Sequence, residues 1–185
     1  MTKRILPNNA QMVPKDAKCV FKGEIFDVYQ WQQEMYDGSF ETFEMLRRAD
    51  TVLVIAVDDD QIVLLDEQQL PDVIENNRLP GGRIEEGESV LEGAKRELQE
   101  ETGLQFAKWT LLEVTQPAIK IERFIYIFLA EDKISQGTTK HDAGEKITVK
   151  HVSFADFRKS AGKNIESLDR INSIDELLSL QGRYE

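Results

Sequence analysis

Residues 82 to 104 read GRIEEGESVLEGAKRELQEETGL and restrict the fold more than any other part of the chain. Ser89 followed by Glu92 is a capping box, which marks the beginning of a helix. Gly103 before a leucine is typical of a helix end, because glycine readily adopts the left-handed backbone conformation found there. The sequence therefore predicts a helix over residues 89 to 102, with both ends marked.

The predicted helix has an acidic patch beside an apolar face. With 3.6 residues per turn, Glu97, Glu100 and Glu101 fall within an arc of roughly 100°. Glu97 and Glu101 are an i, i+4 pair of like charge, which costs an isolated helix about 0.2 to 0.5 kcal/mol. The ordinary pKa of Glu is about 4.3, so all three are expected to be ionised near neutral pH and to need a counterion. The neighbouring face consists of apolar residues at helical spacing, Leu91, Ala94 and Leu98.

The loop before the helix favours a ligand site over a merely solvated acidic face. Leu79-Pro80-Gly81-Gly82 allows a sharp turn and a close approach of backbone to ligand. The carbonyl of Gly81 is a candidate metal ligand. Carboxylate and carbonyl oxygens suit Mg²⁺ or Mn²⁺ better than zinc.

The same residues satisfy the motif G-x5-E-x7-R-E-U-x-E-E-x-G-U, where U is a bulky aliphatic residue. In this respect the chain resembles the Nudix hydrolase family, whose members hydrolyse nucleoside diphosphates linked to another moiety. The resemblance implies a Nudix-type α/β/α sandwich with a mixed β-sheet. The fixed positions all match, at Gly82, Glu88, Arg96, Glu97, Leu98, Glu100, Glu101, Gly103 and Leu104.

The resemblance also implies roles for the motif residues. Glu97, Glu100 and Glu101 would be catalytic metal ligands. Arg96 paired with Glu88 would support the loop and helix, together with Gly82 and Gly103. The chemistry would be metal-assisted attack of water on a phosphorus of a pyrophosphate.

The general base is left open between a motif glutamate and a carboxylate from another loop. The unpatterned stretch 131 to 146 contains Glu145, the first candidate, and Asp142, the second. The alternative is that Glu145 simply precedes a strand in a mobile, solvated loop. Loops of this length in compact domains are often functional.

Apolar patterning predicts strands on both sides of the helix. A strand over 20 to 32 and a hairpin at Asp37-Gly38 form an N-terminal β extension after a flexible start, residues 1 to 17. We expect a division into an extension over 1–48, with a possible role in dimerisation, and a Nudix domain over 49–185. Further elements are strands near 51–57, 62–65, 109–114, 124–129 and 147–151, and an amphipathic helix over 165–180.

The β extension resembles that of the ADP-ribose pyrophosphatase branch, which implies a homodimer. ADP-ribose or another nucleoside diphosphate sugar is the expected substrate, cleaved to a nucleoside monophosphate and a sugar phosphate. Hydrolysis of nucleoside triphosphates or dinucleoside polyphosphates is the alternative, and a non-catalytic nucleotide-binding module is a further one. Arg48 and Arg83 are candidates for substrate binding, because guanidinium groups fit phosphate oxygens.

Composition agrees with a cytoplasmic enzyme of small substrates. The 185 residues are 41% hydrophobic, which can fill a core, and the formal net charge of -11 disfavours binding to nucleic acid. No apolar run is long enough to span a bilayer, so no membrane partner is expected. Cys19, the one cysteine, excludes an intramolecular disulfide.

Overall fold

The computed structural model describes residues 4–141 and 143–180, which divide into two compact units. The first unit runs to Thr51 and also includes Val114–Ile125, and the second contains Val52–Glu113 and the chain from Tyr126 onward. Among the described residues, none of the helices has the length and apolar character needed to cross a bilayer. The strands and α-helices are, in chain order, β1 (Lys18–Lys22), β2 (Asp27–Glu34), β3 (Phe40–Arg47), β4 (Thr51–Asp58), β5 (Gln61–Gln69), β6 (Val73–Arg78), α1 (Val90–Thr102), β7 (Leu104–Thr115), β8 (Ile121–Glu122), β9 (Ile125–Gln136), β10 (Glu145–Val152), α2 (Phe154–Lys159) and α3 (Ile174–Leu178).

The first unit contains a four-stranded sheet in the order β1-β2-β3-β8. Strands β2 and β3 form the predicted hairpin, with Gly38 at a positive φ of 84° in the turn. The predicted single strand over 20 to 32 is wrong. The chain turns where the N–H of Gly23 donates to the carbonyl of Phe26 at 3.2 Å, and this turn separates β1 from β2.

Ion pairs and hydrogen bonds, several of them to the buried Glu122, connect the N-terminal segment to the rest of the first unit. Glu122, 2% exposed, accepts hydrogen bonds from Arg4 at 2.9 Å, from Arg47 at 3.1 Å and from the N–H of Val13 at 2.7 Å. Arg4 also contacts Asp50 through two nitrogens, at 2.6 and 2.8 Å. Residues 4–17 thus contain no helix or strand, yet they are held to the sheet by charged and backbone groups. The division into an extension and a domain at residue 48 stays a prediction.

The second unit contains a sheet in the order β10-β5-β4-β9-β7, with β6 paired to β5. Strand β4 is almost entirely buried, as its continuous apolar run predicts. Asp59 and Asp60 adopt positive φ in the tight turn to β5. The core is formed by aliphatic and aromatic side chains of the central strands and of α1, among them Ile55, Leu64, Leu98, Tyr126 and Leu129.

The C-terminal part differs from the sequence prediction. The predicted continuous helix over 165–180 is wrong: a short 3-10 helix at Glu166–Leu168 is followed by α3. Ser173 is the reason, because its side chain accepts from the N–H of Glu176 and begins a new helix. Strand β6 and helix α2 were not predicted from the sequence. The predicted loop over 131 to 146 is shorter than expected, because β9 continues to Gln136 and β10 begins at Glu145.

Candidate active site

The glycine loop between β6 and α1 lies against the buried strand β4. The N–H of Val52 donates to the carbonyl of Gly82 at 2.9 Å, and the N–H of Val54 donates to the carbonyl of Pro80 at 2.8 Å. Gly81 has a φ of 147°, and a methyl group at its Cα would overlap the backbone of Val52. Only glycine fits this conformation and this close approach.

Helix α1 begins and ends where the sequence predicts. The Ser89 side chain accepts from the N–H of Glu92 at 3.2 Å, and the Glu92 side chain accepts from the N–H of Ser89 at 2.8 Å. At the other end, Gly103 has a φ of 75° and its N–H donates to the carbonyl of Gln99 at 2.8 Å. The helix is therefore fixed in length and direction by local interactions at both ends.

The loop after β9 closes the C-terminal end of α1. The N–H of Lys140 donates to the carbonyl of Glu100 at 2.7 Å, and the N–H of Gly137 donates to that of Gly103 at 2.7 Å. The Nε2 atom of His141 lies 3.2 Å from the carbonyl oxygen of Glu101. These contacts satisfy carbonyls that a helix end leaves without intrahelical partners.

Arg96 binds three of the motif glutamates. Its Nε and Nη2 contact the two oxygens of Glu88 at 2.9 and 3.0 Å, so this pair is bidentate. Its Nη1 donates to Glu97 at 2.9 Å and to Glu100 at 3.1 Å. The hydrogen bond from Arg96 lowers the pKa of Glu88. Arg96 therefore connects the loop at Glu88 to two of the predicted metal ligands.

Glu101 is the most buried of the three predicted ligands, with 6% of its surface exposed. One carboxylate oxygen accepts from the N–H of Gly81 at 2.7 Å, and the other contacts Arg78. Burial raises the pKa of Glu101 to about 7, against the opposing effect of Arg78. Burial also raises the pKa of Glu97. Burial therefore opposes ionisation of Glu101, whereas its contacts with Arg78 and the Gly81 N–H favour ionisation. The expectation that all three glutamates are ionised near neutral pH stays a prediction.

The donor set fits a hard divalent cation, although the carboxylates are paired with arginines. Among residues 4–141 and 143–180, no three acidic, His or Cys side chains are gathered closely enough to form a ready ligand set. One nitrogen of Arg96 nevertheless lies within hydrogen-bonding distance of Glu97 and Glu100 together, so two carboxylates converge on one positive centre. A Cβ added at Gly82 would lie 2.5 Å from a carboxylate oxygen of Glu97. Gly82 thus leaves the space that the Glu97 carboxylate occupies. The candidate metal ligands all present oxygen atoms, which suit a hard divalent cation.

Glu145 is the first residue of β10 and pairs in register with Gln69 of β5. The Gln69 side chain donates to Glu145 at 3.3 Å and to the buried Glu67 at 2.5 Å. Glu67 in turn forms an ion pair with Arg78, which contacts Glu101. Polar contacts therefore connect Glu145 to the motif. Asp142, the second candidate base, lies outside the described residues.

The two candidate substrate arginines have different surroundings. Arg83 is exposed, and its carbonyl accepts from Arg96 at 2.9 Å. Arg48 belongs to the first unit and lies over the ring of Phe26, 5.3 Å from its centre. In the same unit, both Nε and Nη2 of Arg123 donate to the Thr51 hydroxyl, at 3.1 and 2.9 Å.

Arg78 and Glu67 were not predicted as site residues from the sequence. Arg78 ends β6, immediately before the glycine loop, and Glu67 lies on β5 with 4% of its surface exposed. One feature of the sequence could have indicated them: Glu67 lies just after an apolar run in β5, and Arg78 directly precedes the glycine loop. Charged side chains at positions that are expected to be buried usually have a partner of opposite charge.

Comparisons with known proteins agree with the motif. The NUDIX domain model matches residues 46–170. The chain is 29% identical over 144 residues to the ADP-ribose pyrophosphatase of Bacillus subtilis (strain 168), over 76% of this chain and 77% of that protein. It is 28% identical over 115 residues to the methanol dehydrogenase activator of Bacillus methanolicus, over 60% of this chain and 62% of that protein. It is 40% identical over 73 residues to the 8-oxo-dGDP phosphatase of Danio rerio, over 40% of this chain and 22% of that protein.

A solved structure supports the architecture. The crystal structure of an ADP compounds hydrolase superposes with a TM-score of 0.67 at 20% identity, over 95% of this chain and 94% of that chain. At this identity the similarity establishes the fold alone. The α/β sandwich with a mixed sheet that the sequence predicts is confirmed.

Proposed function

We propose that the substrate of this chain, which belongs to the NUDIX family and is a hydrolase of diphosphate bonds, is ADP-ribose or a related nucleoside diphosphate sugar. The products would be a nucleoside monophosphate and a sugar phosphate. The Bacillus subtilis relative supports this substrate class, because its similarity extends over about three quarters of both chains. The resemblance of the N-terminal strands to the ADP-ribose pyrophosphatase branch supports it further.

The observation on which the proposed site depends is the convergence of Glu97 and Glu100 on one nitrogen of Arg96. We assign these two glutamates, Glu101 and the Gly81 carbonyl as ligands of Mg²⁺, with Mn²⁺ as a substitute. When bound, such a cation neutralises charge on the phosphate oxygens and activates water near neutral pH.

The protein's own groups position the reactants. Arg96 holds Glu97 and Glu100 in place through its bidentate contact with Glu88, and the Gly81 N–H orients Glu101. Glu145 is assigned as the carboxylate that accepts the proton of the attacking water. The Gln69 amide supports this role because it fixes the direction of the Glu145 carboxylate.

Arg48 stays a candidate for substrate binding, and Arg123 lies near it in the first unit. Among the described residues, neither guanidinium forms an ion pair with a carboxylate within 4.0 Å. Burial and the nearby charge of Arg48 lower the pKa of Arg123, so an anion would relieve the repulsion. Arg83 is the second candidate, since it is exposed beside the glycine loop. Arg48→Gln is expected to raise the KM for ADP-ribose more than it lowers kcat.

A homodimer is proposed for the first unit. Strand β1 is exposed along its whole length at the edge of its sheet, and an unpaired edge is suited to association. Large apolar side chains are exposed in the same unit, namely Val20, Phe21, Ile25 and Phe40. Sedimentation equilibrium would give the mass of two chains if this proposal is correct.

The test of the activity is a substrate panel with purified protein, Mg²⁺ and an EDTA control. The panel contains ADP-ribose, other nucleoside diphosphate sugars, nucleoside triphosphates and dinucleoside polyphosphates. It also contains 8-oxo-dGDP, because of the partial similarity to the Danio rerio protein. AMP release from ADP-ribose, abolished by EDTA, is expected; pyrophosphate release from a triphosphate would favour the alternative, and nucleotide binding without turnover would favour a non-catalytic module.

Glu101→Gln tests the site assignment. The substitution removes the charge of a buried proposed ligand and nearly preserves its shape. We expect at least a hundredfold loss of kcat, with the circular dichroism spectrum unchanged. The matched control is Glu86→Gln, which changes an exposed glutamate of the same segment outside the fixed motif positions. Near wild-type turnover by Glu101→Gln would contradict the metal-ligand assignment.

A further inference from the structure

Arg78 contacts two of the proposed metal ligands at once. Its Nη2 contacts a carboxylate oxygen of Glu101, and its Nη1 donates to the carbonyl of Gly81 at 3.3 Å and to that of Leu79 at 3.1 Å. One rigid guanidinium therefore spans the helix and the glycine loop. The Gly81 N–H closes the arrangement by donating to the other oxygen of Glu101 at 2.7 Å.

Glu67 holds Arg78 from the opposite side. Its carboxylate forms an ion pair with the Nε of Arg78 and accepts from the Gln69 amide at 2.5 Å. Glu67 and Glu101 are 4% and 6% exposed, and the Arg78 side chain is 17% exposed. Two buried carboxylates thus share one guanidinium, which is itself largely buried.

Stability alone is a poor explanation for this group. A buried ion pair is often no more stabilising than apolar residues of the same volume, because the charges lose their hydration. The contacts of Arg78 do fix geometry. Its guanidinium is planar and its N–H groups point in fixed directions, so it restricts the orientation of both the Glu101 carboxylate and the Gly81 carbonyl. Partners of this kind behind metal ligands typically change metal affinity or activity by about 10- to 100-fold.

We infer that Arg78, fixed by Glu67, is a positioning group that sets the Gly81 carbonyl and the Glu101 carboxylate for the divalent cation. The inference depends on the proposed metal site, and neither residue is assigned to contact the substrate. Gln69 extends the same network to Glu145. The geometry of the proposed ligands and that of the proposed base would then be coupled through Glu67.

The test measures Mn²⁺ binding directly, by electron paramagnetic resonance of free Mn²⁺, so that it does not depend on turnover. Glu67→Gln removes the charge that fixes Arg78, and Arg78→Lys keeps the positive charge but loses the fork. Each variant is expected to bind Mn²⁺ about tenfold more weakly. Glu75→Gln is the matched control, because Glu75 lies opposite Glu67 in the β5–β6 register but is exposed. Its affinity should equal that of the wild type.

A second comparison separates positioning from a general loss of structure. In a Glu101→Gln background, adding Glu67→Gln should cause little further loss of Mn²⁺ affinity, since the effect passes through Glu101. All measurements are made at a temperature where circular dichroism shows the variant to be folded. If Arg78→Lys does not fold, the Mn²⁺ affinity of Glu67→Gln alone tests the inference. A change smaller than threefold in Glu67→Gln, tighter binding, or full additivity with Glu101→Gln would overturn the inference.

Failure of the inference can be distinguished from failure of the proposed function. If the wild type binds Mn²⁺ and Glu101→Gln loses it, the proposed metal site stands whatever Glu67→Gln does. If Glu101→Gln binds Mn²⁺ as the wild type does, the metal site itself is wrong, and the positioning role is rejected with it.

Discussion

Replacing Gly81 with alanine should be one of the most damaging single-methyl changes in the chain. Gly81 has a φ of 147°, which disfavours any L side chain, and its Cα faces the backbone of Val52 on the buried strand β4. The first effect costs about 1 to 2 kcal/mol. Forcing a methyl group into a packed backbone costs about 1 to 3 kcal/mol more. The expected loss of unfolding free energy is the sum, about 2 to 5 kcal/mol.

Gly87 provides the matched control for this change. It also has a positive φ, of 85°, but a Cβ added there meets no atom within 4 Å. Gly87→Ala should therefore lose only the conformational part, about 1 to 2 kcal/mol. The difference between the two variants contains the overlap with β4 together with the difference in conformational cost between a φ of 147° and one of 85°.

Thermal and urea unfolding of both variants measure these losses. For a chain of this size, 1 kcal/mol corresponds to about 2 to 4 °C in Tm, so Gly81→Ala should lower Tm by about 4 to 20 °C. Equal losses in Gly81→Ala and Gly87→Ala would refute the argument, because the loop would then not be pressed against β4.

Two further predictions follow from the site and its surroundings. Gly82→Ala should change stability by less than about 1 kcal/mol, since the new methyl meets the flexible end of Glu97, but should weaken Mn²⁺ binding measurably; unchanged binding would contradict it. Burial alone would raise the pKa of Asp58, but hydrogen bonds from Lys133 and His151 outweigh burial and hold this pKa below its ordinary value. A group of this kind stabilises the fold above its unfolded pKa, about 3.9, and the contribution is lost as pH falls through the folded pKa. Asp58→Asn should therefore reduce the free energy of unfolding in urea more at pH 7 than at pH 3, and an equal reduction at both would count against the assignment.

Helix α1 was predictable because its ends depend on neighbours in sequence. Ser89, Glu92 and Gly103 fix the boundaries through hydrogen bonds within a few residues of the chain. The turn at Asp37-Gly38 is local in the same way. Positions set by such interactions can be read from one sequence without knowledge of the fold.

The contact between Arg78 and Glu67 could not be predicted in this way. Arg78 and Glu67 meet only because β5 and β6 pair, and β6 has the sequence VIENNR, which lacks the alternation that marks a half-buried strand. The turn after β1 was missed for a related reason, since the apolar residues on both sides of Gly23 conceal the break. The raised pKa of Glu101 could not be read from the spacing either, because it depends on burial, which follows from tertiary packing.

The position of the glutamates within α1 bears on how the protein can be engineered. Glu97, Glu100 and Glu101 lie in the last two turns, where the helix dipole is negative, and the final turn contains no basic residue. Arg96 and Arg78 supply the positive charge that the helix itself lacks at this end. An amide in place of one of these carboxylates would leave a guanidinium without its partner, so substitutions selected for heat tolerance are expected to spare all three glutamates. A cation at the proposed site would stabilise the native state by mass action, so screens for thermostable variants with and without Mg²⁺ should select different substitutions.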